Sequence, residues 1–499
     1  MPTYQNVVIV RPKTTSRTPN DDECYKSRCR RQSKTAFCGG RMTDAPNVLL
    51  ASVDCLRGDA AYGERAATPF LNEMADDGLV FERMFSTGAW TAPAFVGLLT
   101  GEQPHSYSRD LSIHAYPETL AETLRSEGYR TVAELDANYW ISATQGFDRG
   151  FDAFHNHVDA DSFVNKKQEC ASDDRNELAQ RLPDALVERF PGAIDRAWNT
   201  LRGSDRLFTL AQHVDMLSGA DKAGVGAETL VDRFLDEAFD GDRPFFGWIH
   251  FMDVHHPYLP EMKTLSDRVR FPRPLVEYVN NASVRPGVSL GSRGSELLEQ
   301  AYNRKVTEID ERLRGLVEAV RSKSDREVVV VVVGDHGEEF REHGRFNHHN
   351  KPYNELIHVP CLVAGAGTGH ITRNTSFLDF KTAVESVTKG GSFAEAFETS
   401  IHECRYLHHD ENITDRTAQA IEGRDTPAQC RTIIDRDLKI HYDHDAGSFE
   451  LYDLATDFGE QTNRFDPDDH ELLVREAIKR RLYEQQELDD QQLVRSVDH

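Results

Sequence analysis

The chain has 499 residues, with 83 acidic and 58 basic side chains and a net charge of −25. This length exceeds a single simple core and predicts one large domain together with a smaller one. The acidic balance argues against nucleic acid as a partner, because phosphate backbones are bound by clustered Lys and Arg side chains.

The first 42 residues differ from the rest of the chain. Residues 1–41 contain nine basic and three acidic side chains, which is the opposite of the overall bias. They include no apolar segment of the kind that marks a secretory signal. We therefore interpret residues 1–42 as a disordered extension, or as sequence that precedes the natural start, for which Met42 is the candidate.

Three segments are typical of buried parallel strands, because they are short apolar runs rich in β-branched or aromatic residues. These segments are residues 48–53, 245–249 and 328–333. Helical patterns lie between them, including residues 68–77, 116–127 and 297–321. The alternation predicts an α/β fold with a parallel sheet. None of these runs approaches the roughly 20 residues of a membrane span, so we expect none.

The remaining patterns suggest how the chain is divided. We predict a catalytic α/β domain over residues 43–390, with a polar helical insertion or cap at 156–232. Residues 391–499 are expected to form a C-terminal subdomain with a small antiparallel sheet and a terminal helix. The sheet is predicted from short alternating runs around residues 432–434, 439–442 and 449–452.

Composition also bears on the environment of the protein. Only 14 of the 58 basic residues are Lys, and an acidic surface that prefers Arg indicates adaptation to high salt. An ordinary acidic protein is the alternative. The eight cysteines form no CxxC pair, so we expect reduced thiols in a cytoplasmic protein.

Acidic and imidazole side chains follow the predicted strands, where ligands gather in parallel sheets. Asp54 follows the first strand, and Asp335 with His336 follows the third. Two carboxylates and an imidazole are suited to one divalent cation. Thr91 precedes an apolar helical pattern with Pro93 in its first turn, which predicts Thr91 as the N-cap. A hydroxyl beside a cation loses its proton more easily and becomes a nucleophile.

Taken in order, these motifs resemble the sulfatase branch of the alkaline phosphatase superfamily. The similarity is spread over residues 47 to about 465. It rests on the segments 47–54, 91–101, 250–258, 334–338, 342–344, 359–360 and 450–454. The resemblance implies an alkaline phosphatase-like fold, with a large central sheet of parallel type flanked by helices and a smaller C-terminal subdomain with an antiparallel sheet.

Three departures from the family pattern change the expected chemistry. Thr91 stands where the family's sulfatases convert Cys or Ser to formylglycine, and its β-carbon carries a methyl group that prevents this conversion. Phe95 replaces an anion-binding Arg, and Cys55 replaces a second Asp. What remains resembles the superfamily's phosphodiesterases and phosphoglycerol transferases that use a Thr nucleophile.

The resemblance also implies roles for further residues. His250 and His255 would lie near the leaving group and act as catalytic residues beside Thr91. The candidate substrate contacts are Arg57, Asp253, His343, His348 and Lys351. Arg57 is included because it could replace the missing anion-binding charge.

The expected cofactor is one divalent metal ion, Ca, Mg, Mn or Zn, held by Asp54, Thr91, Asp335 and His336. The alternative is a second metal ion beside it. Its ligands would come from Asp253, His255 or His256, and His348 or His349.

The sequence therefore predicts a metal-dependent sulfatase-family hydrolase that uses Thr91 on sulfate or phosphate esters, with phosphoester chemistry favoured. The substrate is expected to be a small molecule or a glycan- or lipid-linked ester. One alternative is an aryl or carbohydrate sulfatase that works without formylglycine. Another is a non-catalytic family member that binds an anionic glycan or headgroup.

Overall fold

The computed structural model describes residues 45–63, 66–104, 112–157, 227–284, 290–348, 351–399, 401–407, 429–443 and 448–466. The predicted extension at residues 1–42, most of the predicted insertion at 156–232 and the predicted terminal helix lie outside this part of the chain.

The strands are β1 (Asn47–Val53), β2 (Leu79–Phe81), β3 (Met84–Phe85), β4 (Arg130–Leu135), β5 (Ala153–Asn156), β6 (Phe245–Phe251), β7 (Val328–Gly334), β8 (Glu339–Phe340), β9 (Phe346–Asn347), β10 (His358–Val359), β11 (Cys361–Ala364), β12 (Gly369–Ile371), β13 (Thr375–Ser376), β14 (Ile401–Leu407), β15 (Gln429–Asp435), β16 (Leu438–Asp443) and β17 (Ser448–Asp453). The α-helices are α1 (Gly58–Ala61), α2 (Pro69–Asp77), α3 (Thr91–Thr100), α4 (Leu120–Ser126), α5 (Ala227–Ala238), α6 (Leu265–Arg270), α7 (Arg273–Ser283), α8 (Ser292–Lys323), α9 (Asn354–Ile357) and α10 (Phe380–Thr388).

The central sheet has eight strands in the order β12-β2-β11-β7-β1-β6-β4-β5. Strands β7, β1, β6, β4 and β5 pair in parallel. Strand β11 pairs antiparallel with β7 and β2, so the sheet is mixed rather than wholly parallel. The three strands predicted from apolar runs are confirmed as β1, β6 and β7.

Both faces of the central sheet are covered, which explains why its strands lack polar alternation. In β7, Val330 and Val332 pack into one core cluster, and Val329, Val331 and Val333 pack into the other. Each buried valine contributes roughly 1.5–3 kcal/mol relative to an exposed one.

A four-stranded antiparallel sheet, β14-β15-β16-β17, follows the central sheet and confirms the predicted small C-terminal sheet. The helical patterns at 68–77 and 297–321 correspond to α2 and α8. The helix predicted over residues 116–127 was wrong at its start, because α4 begins only after Thr119. The Thr119 hydroxyl accepts a hydrogen bond from the backbone N–H of Glu122, and the Glu122 carboxylate accepts one from the backbone N–H of Thr119.

A buried ionic network joins the small sheet to α9. The Lys439 ammonium donates to Asn354 Oδ1 at 2.8 Å and lies 2.9 Å from Glu460 Oε1. Glu460 also accepts from the Asn354 backbone N–H at 2.6 Å and contacts His441 Nε2 at 2.8 Å. Because the network is closed, each buried charge keeps its partners.

Removing one member of this network should therefore be costly. We expect Lys439→Ala to lower the free energy of unfolding by about 3–5 kcal/mol, since Glu460 would remain buried without its cation. The control is Lys263→Ala, which removes surface ion pairs with Glu261 and Glu311 and should cost under about 1 kcal/mol. Urea unfolding of both variants measures the difference, and equal effects would contradict this account of the network.

Candidate active site

The carboxyl ends of two neighbouring strands bring Asp54, Asp335 and His336 together. Strands β1 and β7 are in register with Val53 opposite Gly334, so the residues that follow them emerge side by side. All three side chains are fully buried. His336 Nε2 lies 3.4 Å from Asp54 Oδ1 and 3.6 Å from Asp335 Oδ2.

Hydrogen bonds orient these side chains. His336 Nδ1 donates to the Gly337 carbonyl at 2.8 Å, which leaves the Nε2 lone pair facing the two carboxylates. Asp335 Oδ1 accepts from the backbone N–H groups of Cys55 and His336, at 3.2 and 2.8 Å. Asp335 Oδ2 is buried without a hydrogen-bond partner.

The electrostatics of this cluster fit a bound cation. Burial and the neighbouring Asp54 charge raise the pKa of Asp335 well above its usual range. For Asp54, burial opposes ionisation, but His255, His250 and His336 together hold its pKa well below the ordinary value. A cation between the two carboxylates would satisfy the orphaned Asp335 oxygen and relieve their repulsion. The oxygen and imidazole donors fit a divalent metal ion.

Thr91 brings a hydroxyl to the same point. Its Oγ1 donates to Asp54 Oδ2 at 3.2 Å and lies 3.4 Å from His336 Nε2. The prediction that Thr91 is the N-cap was wrong, since Trp90, with extended backbone, precedes the helix and Thr91 is its first residue. The Thr91 hydroxyl is directed to the carboxylate instead of to the helix backbone. It still lies at a helix N-terminus, where anions are favoured.

Asn138 and His250 complete the surroundings of Asp54. Asn138 Nδ2 donates to Asp54 Oδ2 at 3.0 Å, and His250 Nε2 lies 3.4 Å from the same oxygen. The fully buried His250 ring has its Nδ1 3.0 Å from Ser52 Oγ. Asn138 was missed in the sequence, because it stands in a loop just beyond β4, a strand whose pattern is interrupted by the buried Glu134.

Phe95 occupies the first turns of α3 as an apolar side chain. Its ring meets the edge of the His250 ring at 5.1 Å between centroids. Arg57, the candidate replacement for the missing charge, is held by acidic side chains. Its guanidinium bonds Asp59 at 2.8 Å and Glu342 at 2.6 Å, and these acids neutralise it. The role of Arg57 as the substitute for the anion-binding Arg stays a prediction.

Three other candidate substrate contacts are engaged in ion pairs. Asp253 is paired with Arg312 and Lys305 of α8. The His343 ring is stacked on the Tyr353 ring, with 3.5 Å between the ring centroids. The Nε2 atom of His343 lies 3.4 Å from Glu355 Oε2. Lys351 Nζ lies 2.5 Å from Glu450 Oε1.

These pairings have consequences for the predicted contacts. Within the described residues, Asp253 is not among the side chains whose ligand atoms converge for a metal ion, and Lys305 and Arg312 neutralise its charge. Its place in the alternative second ligand set stays a prediction. For His343, burial opposes the charged form, but the nearby Glu355 carboxylate raises its pKa.

His255 and His348 approach the cluster from its other side. The His348 ring centroid is 4.5 Å from that of His336 and 5.3 Å from that of His255. His348 Nδ1 is 3.2 Å from Glu338 Oε1 and 3.5 Å from Cys55 Sγ. Although burial opposes ionisation of Glu338, the charge of His348 lowers the pKa of Glu338 to about 2.

The histidine that follows His255 in the chain does not join this pair. His256 Nε2 is directed to the Asn280 carbonyl at 3.1 Å. His349 lies outside the described residues. Of the histidine alternatives considered for a second cation, the structure therefore brings together His255 and His348.

Comparison with known proteins shows the same architecture elsewhere. A phosphonate monoester hydrolase of Agrobacterium radiobacter superimposes with a TM-score of 0.60 at 20% identity, over 90% of this chain and 96% of that one. A 2-O GAG sulfatase gives a TM-score of 0.58 at 17% identity, over 91% and 94% of the two chains. These likenesses identify the fold.

Curated relatives match over shorter stretches. The human iduronate 2-sulfatase is 32% identical over 99 residues, which is 18% of each protein. An endo-4-O-sulfatase of Bacteroides thetaiotaomicron is 28% identical over 131 residues, covering 26% of this chain and 25% of the relative. The alignments thus span about a fifth to a quarter of the curated relatives.

The mixed sheet of this chain carries acids and a histidine at the carboxyl ends of its parallel strands, facing a hydroxyl at a helix N-terminus. Its class of fold is the one that it shares with the phosphonate monoester hydrolase and the 2-O GAG sulfatase. Within that class, the sulfatase family model matches residues 46–383, so the chain belongs to the sulfatase family. This confirms the family predicted from the motifs, one of hydrolases that act on ester bonds. Within the described residues, no helix is long and apolar enough to cross a membrane.

Proposed function

We propose that this chain is a metal-dependent ester hydrolase in which Thr91 is the nucleophile and phosphoesters are the favoured substrates. The observation that carries the proposal is the position of Thr91 Oγ1, 3.2 Å from the Asp54 carboxylate and 3.4 Å from His336 Nε2. When bound by Asp54, Asp335 and His336, a divalent ion (Ca, Mg, Mn or Zn) supplies the positive charge that makes this hydroxyl acidic.

The side chains then divide the work of ester cleavage. Thr91 Oγ1 loses its proton to solvent and forms a bond to phosphorus or sulfur, and the bond from that atom to the leaving oxygen breaks. His250 or His255 gives a proton to the leaving oxygen. His255 is partly exposed and next to the site, whereas His250 is buried beside Asp54. Water or a second alcohol then attacks the same atom and releases Thr91.

Two features favour phosphoesters. Thr91 has no second hydroxyl on its β-carbon, so the covalent intermediate must be resolved by attack at phosphorus or sulfur rather than by collapse of an aldehyde hydrate. Phe95 supplies no charge where the family has an Arg, which disfavours the dianion of a phosphomonoester more than the monoanion of a diester. Among phosphoesters, a phosphodiester, as a small molecule or attached to a glycan or lipid, fits both features; a sulfate ester is also a monoanion, and the assays below separate the two.

Parallel assays on an aryl sulfate, an aryl phosphomonoester and a bis-aryl phosphodiester test this proposal. We expect the phosphodiester to have the highest kcat/KM. The assays should contain added divalent metal and molar salt, because the net charge of −25 causes self-repulsion at low ionic strength.

The other outcomes assign the alternatives. A higher kcat/KM for the aryl sulfate would identify a sulfatase that works through Thr91. Absence of turnover on all three esters, together with binding of a sulfated glycan, would identify a non-catalytic binding protein and contradict the proposal.

A further inference from the structure

We propose that Cys55, His255 and His348 form a second cation site that takes a thiophilic metal such as Zn²⁺. One ligand atom from each of these residues lies within 4.8 Å of the other two. Sulfur and imidazole donors together select zinc-like ions over Mg²⁺ or Ca²⁺, which prefer oxygen. The inference rests on the proposed function and deepens it, since this site adjoins the nucleophile, but its evidence and its test are separate. Because a metal-bound His255 has no proton to give, the inference leaves His250 as the proton donor to the leaving oxygen.

The position of Cys55 is set by the backbone. Cys55 has a φ of 60°, in the left-handed region that residues other than glycine seldom adopt. With this backbone the buried thiol lies 3.0 Å from Asp54 Oδ1 and 3.5 Å from His348 Nδ1. The thiol is therefore directed between the proposed first cation site and the histidine pair.

Neighbouring side chains hold one ligand in place. Glu338 is fully buried and places Oε1 3.2 Å from His348 Nδ1 and Oε2 2.6 Å from the Tyr258 hydroxyl. A carboxylate that is itself anchored, next to a ligating imidazole, is the usual support of a zinc site.

The buried carboxylates around Cys55 carry more negative charge than one divalent cation neutralises. Asp54, Asp335 and Glu338 are all fully buried. Within the described part of the chain, their carboxyl groups are contacted by imidazole, hydroxyl, amide and thiol groups and not by Lys or Arg. When the imidazoles are neutral metal ligands, one divalent ion leaves one of the three carboxylate charges uncompensated, and a second divalent ion together with the Cys55 thiolate brings the sum to zero. The Cys55 thiol loses its proton to solvent when this ion binds.

Cobalt substitution reports on the site without any activity measurement. Full-length protein is freed of metal with a chelator and titrated with Co²⁺ while the near-ultraviolet band of a cobalt–thiolate bond is followed. We expect about two Co²⁺ per chain and a band that Zn²⁺ removes by competition. Cys55→Ser should lower the binding to about one ion and abolish the band.

Matched variants separate the two sites. Cys361→Ala, which changes a buried thiol of β11, should leave the band intact. His348→Ala should lose the same ion as Cys55→Ser, and it carries the test if the serine variant fails to fold. Asp335→Asn should lose the other ion and retain the band, so failure of the proposed nucleophile site leaves this result unchanged. A band that survives Cys55→Ser or His348→Ala, or a wild-type protein without a band, would overturn the inference.

Discussion

Thr91→Ala is expected to lower turnover of the preferred ester by at least about a thousandfold, because it removes the oxygen that attacks the substrate. Thr91→Ser keeps a hydroxyl at the same helix N-terminus and should remain within about tenfold of the wild type. The alanine variant should retain its metal, since Asp54, Asp335 and His336 are unchanged. Steady-state assays combined with metal analysis measure both effects.

A control on the same helix separates chemistry from folding. Thr100→Ala removes another buried hydroxyl of α3, one that donates to the Val96 carbonyl, at the end of the helix remote from Asp54. Its kcat should equal that of the wild type. If Thr91→Ala kept most of the wild-type turnover, another group would be the nucleophile and the proposed mechanism would be wrong.

Asp335→Asn is expected to weaken metal binding by more than about a hundredfold, because a charged ligand is replaced by a neutral one of the same shape. The sign of its effect on stability should depend on the metal. Without metal, the variant should unfold at a higher temperature than the wild type, since an asparagine at this position would not be disfavoured by the burial and the Asp54 repulsion that raise the pKa of Asp335. With saturating metal the order should reverse, because the wild type gains more binding free energy.

The matched control is a buried aspartate remote from the site. Asp310 accepts the backbone N–H groups of Phe70 and Leu71, at 3.0 and 2.8 Å, just as Asp335 accepts two backbone N–H groups. Asp310→Asn should leave metal affinity unchanged. Thermal unfolding with and without metal tests the reversal, and an Asp335→Asn variant that is less stable under both conditions would argue against a cation between Asp54 and Asp335.

The central strands could be predicted because a strand that is buried on both faces has apolar residues at nearly every position. Strand β7 is almost entirely valine, and β1 and β6 are similarly apolar. Strand β4 was missed, since the buried Glu134 breaks its pattern. Strands β2 and β11 are only three and four residues long, below the length at which periodicity is informative.

The site could be predicted as far as its residues follow strands. Asp54, Asp335 and His336 were placed together by the rule that parallel strands end at one edge, and the structure has them in contact. The roles predicted for them stay proposals. Ion pairs between distant segments could not be foreseen, and these pairs decide where Arg57 and Lys351 lie. A lone basic residue in a sequence shows its charge but not the acid that neutralises it.

The most direct test of the account is to trap the covalent intermediate on Thr91. The metal-loaded enzyme is mixed with an activated phosphodiester, quenched in acid during turnover and digested, and its peptides are analysed by mass spectrometry. We expect the phosphoryl group on the peptide that contains Thr91, with the modification located on that residue and absent from Thr91→Ala. Turnover that leaves Thr91 unmodified, or that places the phosphoryl group on a different side chain, would contradict the account.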